Sequence, residues 1–274
     1  MNILKIHTKN SAYQKFEVLK TNRNKRYKYN EFIVEGVRNI NEAIKNNWQI
    51  VSFIYNRDIV LSDWAKNKLK SIKTDINYEL TSTLMSDLSG KSNTSELLAI
   101  VKMRDDNISQ LKPNKNPLVA VFDRPSNKGN LGTIIRSCDS FGLDGLIITG
   151  HTVDLYDPDV ISASMGSFFN VQTIRIADNN TLFKYINTMK QKYNSMQVVG
   201  STARKQTIIT EVDFTIPTLL MIGNETDGLN HAFKECCDVL ATIPMCVKSS
   251  ATSFNVGCAA TVFFYEAMRQ RLIT

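Results

Sequence analysis

The sequence predicts an α/β protein of two domains, a small one followed by a larger one built on a buried, mostly parallel sheet, and three observations carry that prediction. Positive charge is uneven: residues 1–116 hold 20 Lys+Arg against 12 Asp+Glu, whereas residues 117–274 hold 13 against 14. Glycine divides the other way, with only Gly36 and Gly90 before residue 117 and ten glycines after it, the punctuation that tight βα turns require. The later part also alternates continuous apolar runs with helical periods, the order a parallel sheet needs because each parallel crossover passes through a helix. A chain of 274 residues is long for one average domain and comfortable for two. With 43% hydrophobic and 22% charged residues, it has the composition of a protein that buries a core.

Residues 1–10 lack the apolar core of a signal peptide, and no stretch approaches the run of about 18 apolar residues that a membrane span needs. The expected location is the cytoplasm, without membrane association. Phe32-Ile33-Val34 reads as a strand, residues 38–46 as a helix and residues 50–55 as a second strand, with alternation continuing to residues 97–101. These make a small α/β domain of residues 1–105. Residues 104–116 are polar, end in P-N-K-N-P and show no apolar period, so 106–116 reads as a linker and 117–274 as the second domain. In that domain 118–122 is a strand, Leu131, Ile134, Ile135 and Cys138 mark a helix face, and Leu146-Ile147-Ile148 is the next strand. Apolar runs at 171–176, 197–200, 218–222 and 239–243 follow, separated by helical segments near 180–191 and 229–236, and residues 256–268 form a closing helix. Strands that are apolar throughout call for a sheet covered on both faces.

Five cysteines, an odd number without a C-x-x-C pair, and three widely separated histidines suggest neither a disulfide framework nor a zinc site. No metal is expected. The basic excess of the first domain suits a polyanion-binding surface. A biased Asn/Lys/Ile-rich composition explains it equally well, and charge alone leaves both readings open.

Three segments could carry chemistry. The first is N-K-G-N-L-G-T-I-I-R-S-C-D-S-F-G, residues 127–142, a Gly-containing turn that opens a helix after a strand and presents free N–H groups to an anion. It is not G-x-G-x-x-G, and no acidic residue follows a second strand as a Rossmann site requires. Arg136 lies among Ile134, Ile135 and Cys138, so it reads as a buried guanidinium that is either a structural ion pair or a phosphate ligand. The second is I-G-N-E-T-D-G-L, residues 222–229, at the carboxyl end of a strand; the bare pattern is also that of an ordinary turn with a helix cap. The third, I-P-M-C-V-K-S-S-A-T-S-F-N-V-G-C-A-A, residues 243–260, runs from a strand through a polar loop into the closing helix, which Ser253 is placed to cap. Ser253 has no G-x-S-x-G frame, which argues against a hydrolase nucleophile.

In this order and setting the three segments resemble the signature motifs of the TrmH/SpoU-type RNA 2′-O-ribose methyltransferases of the SPOUT class, over about residues 118–268. Residues 22–44 resemble the ribosomal-protein-like substrate-binding domain that precedes it in many members. The resemblance implies a trefoil-knotted catalytic domain, S-adenosyl-L-methionine as cofactor, a homodimer, and RNA as partner, with ribosomal RNA favoured over transfer RNA. It places catalytic roles on Asn130, Arg136, Glu225, Ser253 and Asn255. The implied cofactor positions are Ser201, Thr202 and Ala203, then Ile222, Gly223, Asn224 and Gly228, then Ile243, Pro244, Met245 and Phe254. RNA contacts fall on the basic Arg23, Lys25, Arg26 and Lys28, and on Arg124 beside motif one. Two departures stand out: the stretch between I-P-M and S-x-N is two residues longer than the common pattern, and Phe254 replaces the usual leucine.

Methyl transfer from a sulfonium is an in-line displacement, so such an enzyme aligns donor and hydroxyl and stabilises the developing alkoxide. The competing readings are a non-catalytic RNA-binding or ribosome-assembly protein on the same fold, a transfer RNA 2′-O-methyltransferase, and a base-nitrogen methyltransferase, whose motifs differ from S-x-N.

Overall fold

The structure, a computed structural model, describes residues 2–90, 94–204 and 206–273. Its first elements are β1 (Asn2–Ile6), α1 (Ser11–Thr21), α2 (Arg23–Tyr29), β2 (Glu31–Glu35), α3 (Val37–Lys45), β3 (Ile50–Asn56), α4 (Asp63–Ser71), β4 (Ile76–Leu80), α5 (Ser82–Ser89) and β5 (Leu97–Lys102). There follow β6 (Leu118–Asp123), α6 (Lys128–Ser140), β7 (Gly145–Thr149), α7 (Pro158–Ala163), β8 (Thr173–Ile176), α8 (Asn179–Lys192) and β9 (Gln197–Ser201). The chain then continues through β10 (Thr207–Ile208), β11 (Thr218–Ile222), α9 (His231–Cys236), β12 (Val239–Thr242) and α10 (Val256–Ile273). Two compact units result: Met1–Asp105 with Asp154–Asn170, and Asp106–Val153 with Val171–Thr274.

The first unit carries a five-stranded mixed sheet in the order β1-β4-β3-β5-β2. Its core gathers Tyr13, Phe16 and Leu19 of α1, Leu84, Met85 and Leu88 of α5, and inward residues of the strands such as Ile33, Ile54 and Ile100. Arg26 of α2 lies inside this unit, 1% exposed. Its guanidinium donates to Asp154 Oδ2 from Nε at 2.7 Å and to the Leu19 and Lys20 carbonyls from Nη1 at 2.9 Å each, while the Tyr27 hydroxyl donates to Asp154 Oδ1 at 2.7 Å. One side chain thereby closes the last carbonyls of α1 and anchors the Asp154–Asn170 segment. Farther along that segment, Phe168 and Phe169 pack on Phe32 and Trp48, and Trp48 Nε1 donates to the Phe169 carbonyl at 2.9 Å.

Two boundaries therefore differ from the sequence reading. Asp154–Asn170 groups with the first unit although it lies far past residue 117, because its aromatic residues complete that unit's core. Residues 106–116 belong to the second unit instead of standing apart as a linker: Leu111 is buried in its core and the Arg175 backbone N–H donates to Asp106 at 3.1 Å. The polar residues around Ile108 and Leu111 conceal this apolar pair in the sequence.

The second unit holds a seven-stranded sheet, β10-β12-β9-β11-β6-β7-β8, with every pair parallel. All six residues of β6 are buried, as expected of a strand covered on both faces. Val119 and Val121 share one cluster with Leu182, Ile186 and Met189 of α8 and Phe233 of α9, while α6 and α10 pack on each other. The chain returns to place β11 in the middle of the sheet, between β9 and β6. The carboxyl ends of β9, β11 and β12 thus lie side by side. Among the described residues, no helix is long and apolar enough to cross a membrane, and no group of His, Cys, Asp and Glu is arranged to hold a metal.

Candidate functional site

The loops leaving β9, β11 and β12 wall a cavity of about 910 Å³, at the end of the sheet where parallel α/β folds hold ligands. Ten of the eleven residues expected to contact a cofactor line it: Ser201, Thr202 and Ala203; Gly223, Asn224 and Gly228; Ile243, Pro244 and Met245; and Phe254. Ile222 does not, being buried within β11. The sequence reading missed Asp227, Lys234 and Phe263, which also line the cavity: Asp227 lies within the second segment but had no role assigned, and Lys234 and Phe263 stand outside the quoted segments. Gly223 is required by its surroundings: a Cβ there would sit 2.3 Å from Leu229 N and 2.4 Å from Gly228 C. The turn beside it is closed by reciprocal backbone hydrogen bonds between Asn224 and Gly228, each 3.1 Å. The wall combines apolar faces with backbone and side-chain polar groups, which fits an adenosyl cofactor that is itself half aromatic and half polar.

Next to the cavity a chain of hydrogen bonds links three distant parts of the sequence. Asn255 Nδ2 donates to Asn130 Oδ1 at 3.1 Å, and Asn130 Nδ2 donates to Glu225 Oε1 at 3.1 Å. Glu225 Oε2 accepts from the Ser126 hydroxyl at 2.6 Å and from its backbone N–H at 3.2 Å. Burial pushes the Glu225 carboxyl up, but these hydrogen bonds outweigh it and hold the group below the ordinary carboxylate value. Asn255 Oδ1 accepts from the N–H groups of Gly257 and Cys258 at 2.9 and 3.3 Å. The cap of α10 is therefore Asn255 and not Ser253, which is exposed and lines the cavity. Ser126 carries no signal in the sequence; it precedes the helix-capping Asn127 and looks there like ordinary turn chemistry.

At the end of β6 the Asp123 carboxylate is 1% exposed and accepts from Arg124 twice at 3.1 Å, from Thr149 Oγ1 at 3.0 Å, and from Asn230 N and Nδ2 at 3.0 and 3.3 Å. Arg124, expected to contact RNA, is held in the left-handed region at φ 49°, a conformation that costs a non-glycine residue about 1–3 kcal/mol and persists only where its surroundings enforce it.

Arg136 is corrected in one respect, because it is exposed and not buried; of its two readings the structural ion pair is not found among the described residues. The α6 face containing Leu131, Ile134, Ile135 and Cys138 turns inward, while Thr133, Arg136 and Ser140 face outward. Six residues along α6 from Asn130, Arg136 stands about 9 Å farther along the helix and about 120° round from it. Arg26 is corrected as well, because its sealed ion pair with Asp154 leaves nothing for RNA. Its neighbours Arg23, Lys25 and Lys28 are exposed.

Compared with known proteins, residues 117–265 match the SpoU rRNA Methylase family and residues 10–99 match the SpoU L30e-like domain. The chain is 36% identical to the 23S rRNA (uridine(2479)-2'-O)-methyltransferase of Streptomyces viridochromogenes over 269 residues, 98% of this chain and 93% of that one. It is 25% identical to the 23S rRNA (guanosine(2553)-2'-O)-methyltransferase RlmP of Bacillus subtilis (strain 168), over 94% and 96% of the two chains. The crystal structure of the SpoU methyltransferase AviRb from Streptomyces viridochromogenes in complex with the cofactor AdoMet superposes with a TM-score of 0.88 at 36% identity, covering 97% of this chain and 100% of that chain. With the motif order, the parallel sheet and relatives of nearly full length in agreement, the chain belongs to the SpoU rRNA methylase family.

Proposed function

We infer that the protein is an S-adenosylmethionine-dependent methyltransferase that modifies a ribose 2′-hydroxyl of ribosomal RNA, with the cofactor in the cavity behind β9, β11 and β12. The observation that carries this reading is the hydrogen-bonded chain Asn255–Asn130–Glu225–Ser126, which joins all three motifs beside that cavity. The relatives named for 23S rRNA 2'-O-methylation support ribosomal RNA over transfer RNA as substrate. When bound, S-adenosylmethionine supplies the electrophilic methyl group. Glu225, held ionised, fixes the Asn130 amide with its NH2 toward the carboxylate and its oxygen toward Asn255. The two asparagines and the Ser253 hydroxyl then orient the ribose and its leaving proton. Arg136 brings positive charge to the RNA phosphate and the developing alkoxide; a guanidinium has only donors and no acceptor, so it stabilises charge and does not accept the proton.

Arg136 serves the site of a second subunit in a homodimer. Among the described residues it has no ion-pair partner, and it lies on the helix that packs against α10. On α10, Val262, Tyr265 and Leu272 are 37%, 50% and 75% exposed at helical spacing, an apolar stripe that a second copy covers. Light scattering should return twice the 31.0 kDa chain mass. Arg23, Lys25 and Lys28 supply sequence-independent attachment to phosphates.

The decisive test incubates the purified protein with methyl-labelled cofactor and unmodified ribosomal RNA and maps the product. A single 2′-O-methyl ribose supports the reading. A methylated base sinks it in favour of base chemistry, and absence of both transfer and cofactor binding favours a non-catalytic RNA-binding protein.

A further inference from the structure

We propose that Arg124 is a positioning residue that clamps the Asn224–Gly228 turn and thereby preforms one wall of the cofactor cavity. The proposal rests on that cavity being the S-adenosylmethionine site. Arg124 touches both ends of the turn. Its carbonyl accepts from Asn224 Nδ2 at 2.7 Å, and its Nη2 reaches the Gly228 carbonyl at 3.4 Å, with Nη1 3.9 Å from the Asp227 carboxylate. The guanidinium is in turn gripped by Asp123 through a two-pronged pair, Nε to Oδ1 and Nη2 to Oδ2, both 3.1 Å. The same carboxylate holds Asn230, which caps α9 immediately after the turn. The entry of the turn is therefore held by the Arg124 backbone carbonyl and its exit by the Arg124 guanidinium.

The backbone supports the same assignment. Arg124 adopts φ 49°, and its side chain passes over Gly150, where a Cβ would stand 2.7 Å from Arg124 Cγ. A strained arginine, a neighbouring glycine that leaves room for it, and a buried carboxylate that accepts its fork form one arrangement. A guanidinium meant for RNA would keep its donors free; here Nε and Nη2 are used on Asp123, and Nη2 also on Gly228. Holding the turn in its bound shape removes an ordering cost that cofactor binding would otherwise carry.

The test compares Arg124→Gly, which removes the guanidinium half of the clamp and relieves the left-handed strain while Thr149 and Asn230 still donate to Asp123, with Arg124→Lys, which keeps the charge but cannot form the fork. Calorimetric titration with S-adenosylmethionine should show a Kd raised about tenfold in both, a cost of the size expected when a binding wall loses its preset geometry. The KM for S-adenosylmethionine should rise in step while kcat at saturating cofactor stays near wild type, and RNA affinity with its salt dependence should not move. Unchanged cofactor affinity in both variants overturns the proposal. So does a wild-type Arg124→Lys beside an Arg124→Gly that loses RNA affinity with a shallower salt slope, the signature of a phosphate ligand. A separate control, Gly223→Val in the cavity wall, distinguishes the underlying reading: if it leaves cofactor binding intact, the cavity is not the cofactor site, whatever the Arg124 variants do.

Discussion

In the first unit, Arg26 and Asp154 are 1% and 6% exposed, and the guanidinium spends its donors on one carboxylate pair and two backbone carbonyls. In the second unit, Glu225 is only half-buried, shares its oxygens between Ser126 and Asn130, and lines an open cavity. Both networks join segments roughly 100 residues apart, yet their surroundings give them opposite roles. A network sealed from water with its donors used internally has nothing left to offer a ligand, and what it supplies is a fixed geometry. A network that ends at a cavity keeps polar groups available for a substrate, at some cost in rigidity. Residue type does not separate the two; burial and completeness do.

The largest effect should come from breaking the sealed network. Removing one partner of a buried pair leaves the other charge uncompensated, so Arg26→Ala should lower unfolding stability by about 3–5 kcal/mol. Denaturant titration measures this directly, with Glu225→Gln as the counterpart expected to leave the midpoint nearly unchanged. Equal losses in the two variants would erase the contrast.

Next in size is the exposed arginine. Arg136→Ala should reduce methyl transfer by about 10²-fold or more, the usual cost of removing one electrostatic stabiliser of a transition state, and leave S-adenosylmethionine affinity at the wild-type value. Wild-type turnover would remove Arg136 from the reaction. A loss of cofactor binding would instead place it at the cavity of its own subunit.

The strands of the second unit are legible in the sequence because apolar runs bounded by proline, glycine or aspartate have few other solutions, and 118–122, 218–222 and 239–242 all fall on observed strands. The first unit is harder. Its helices α1, α2 and α4 are short and lysine-rich, and their buried positions, such as Tyr13, Phe16 and Leu19, give a thin apolar period among many polar residues. Nothing local in Asp154–Asn170 says that it completes the core of a unit that begins 150 residues earlier; that follows only once Arg26 and Trp48 are placed. The same limit applies to the site. Asn130, Glu225 and Asn255 are legible through motif resemblance, but Ser126, and the engagement of Arg124 with Asp123, depend on which loops meet in space. Arg136 reads as buried in the sequence and is not, because three apolar neighbours along the chain are not three neighbours on a helix face.

A smaller effect separates Arg26 from the charges beside it. If Arg23, Lys25 and Lys28 neutralise RNA phosphates, replacing all three by glutamine should weaken RNA binding regardless of sequence and reduce the salt slope by about 0.7–0.9 for each phosphate no longer neutralised. Cofactor affinity and unfolding stability should stay as they are, unlike in Arg26→Ala. Titrations at several salt concentrations decide it, and an unchanged slope would make this face of α2 merely solvated.

The smallest effect is expected from pH, and its sign follows from the hydrogen bonds on Glu225. Burial raises its pKa, but donation from Ser126 and Asn130 and the backbone N–H groups lowers it further, so the folded value lies below the ordinary one of about 4.3. A carboxyl with a depressed folded pKa contributes stability that is present above its unfolded pKa and lost as pH falls through the folded one. The chain to Asn130 and Asn255 is therefore intact from about pH 5 to 8, and loosens only in more acidic solution. Glu225→Gln should lower the rate by about tenfold through loss of a charge-assisted hydrogen bond, but leave the shape of the profile between about pH 5 and 8 unchanged. Rate profiles of the two proteins with the same RNA measure this. If the substitution removes a limb of the wild-type profile in that range, Glu225 titrates during turnover and acts as a proton acceptor, and the contrast between a positioning carboxylate and a reacting one falls.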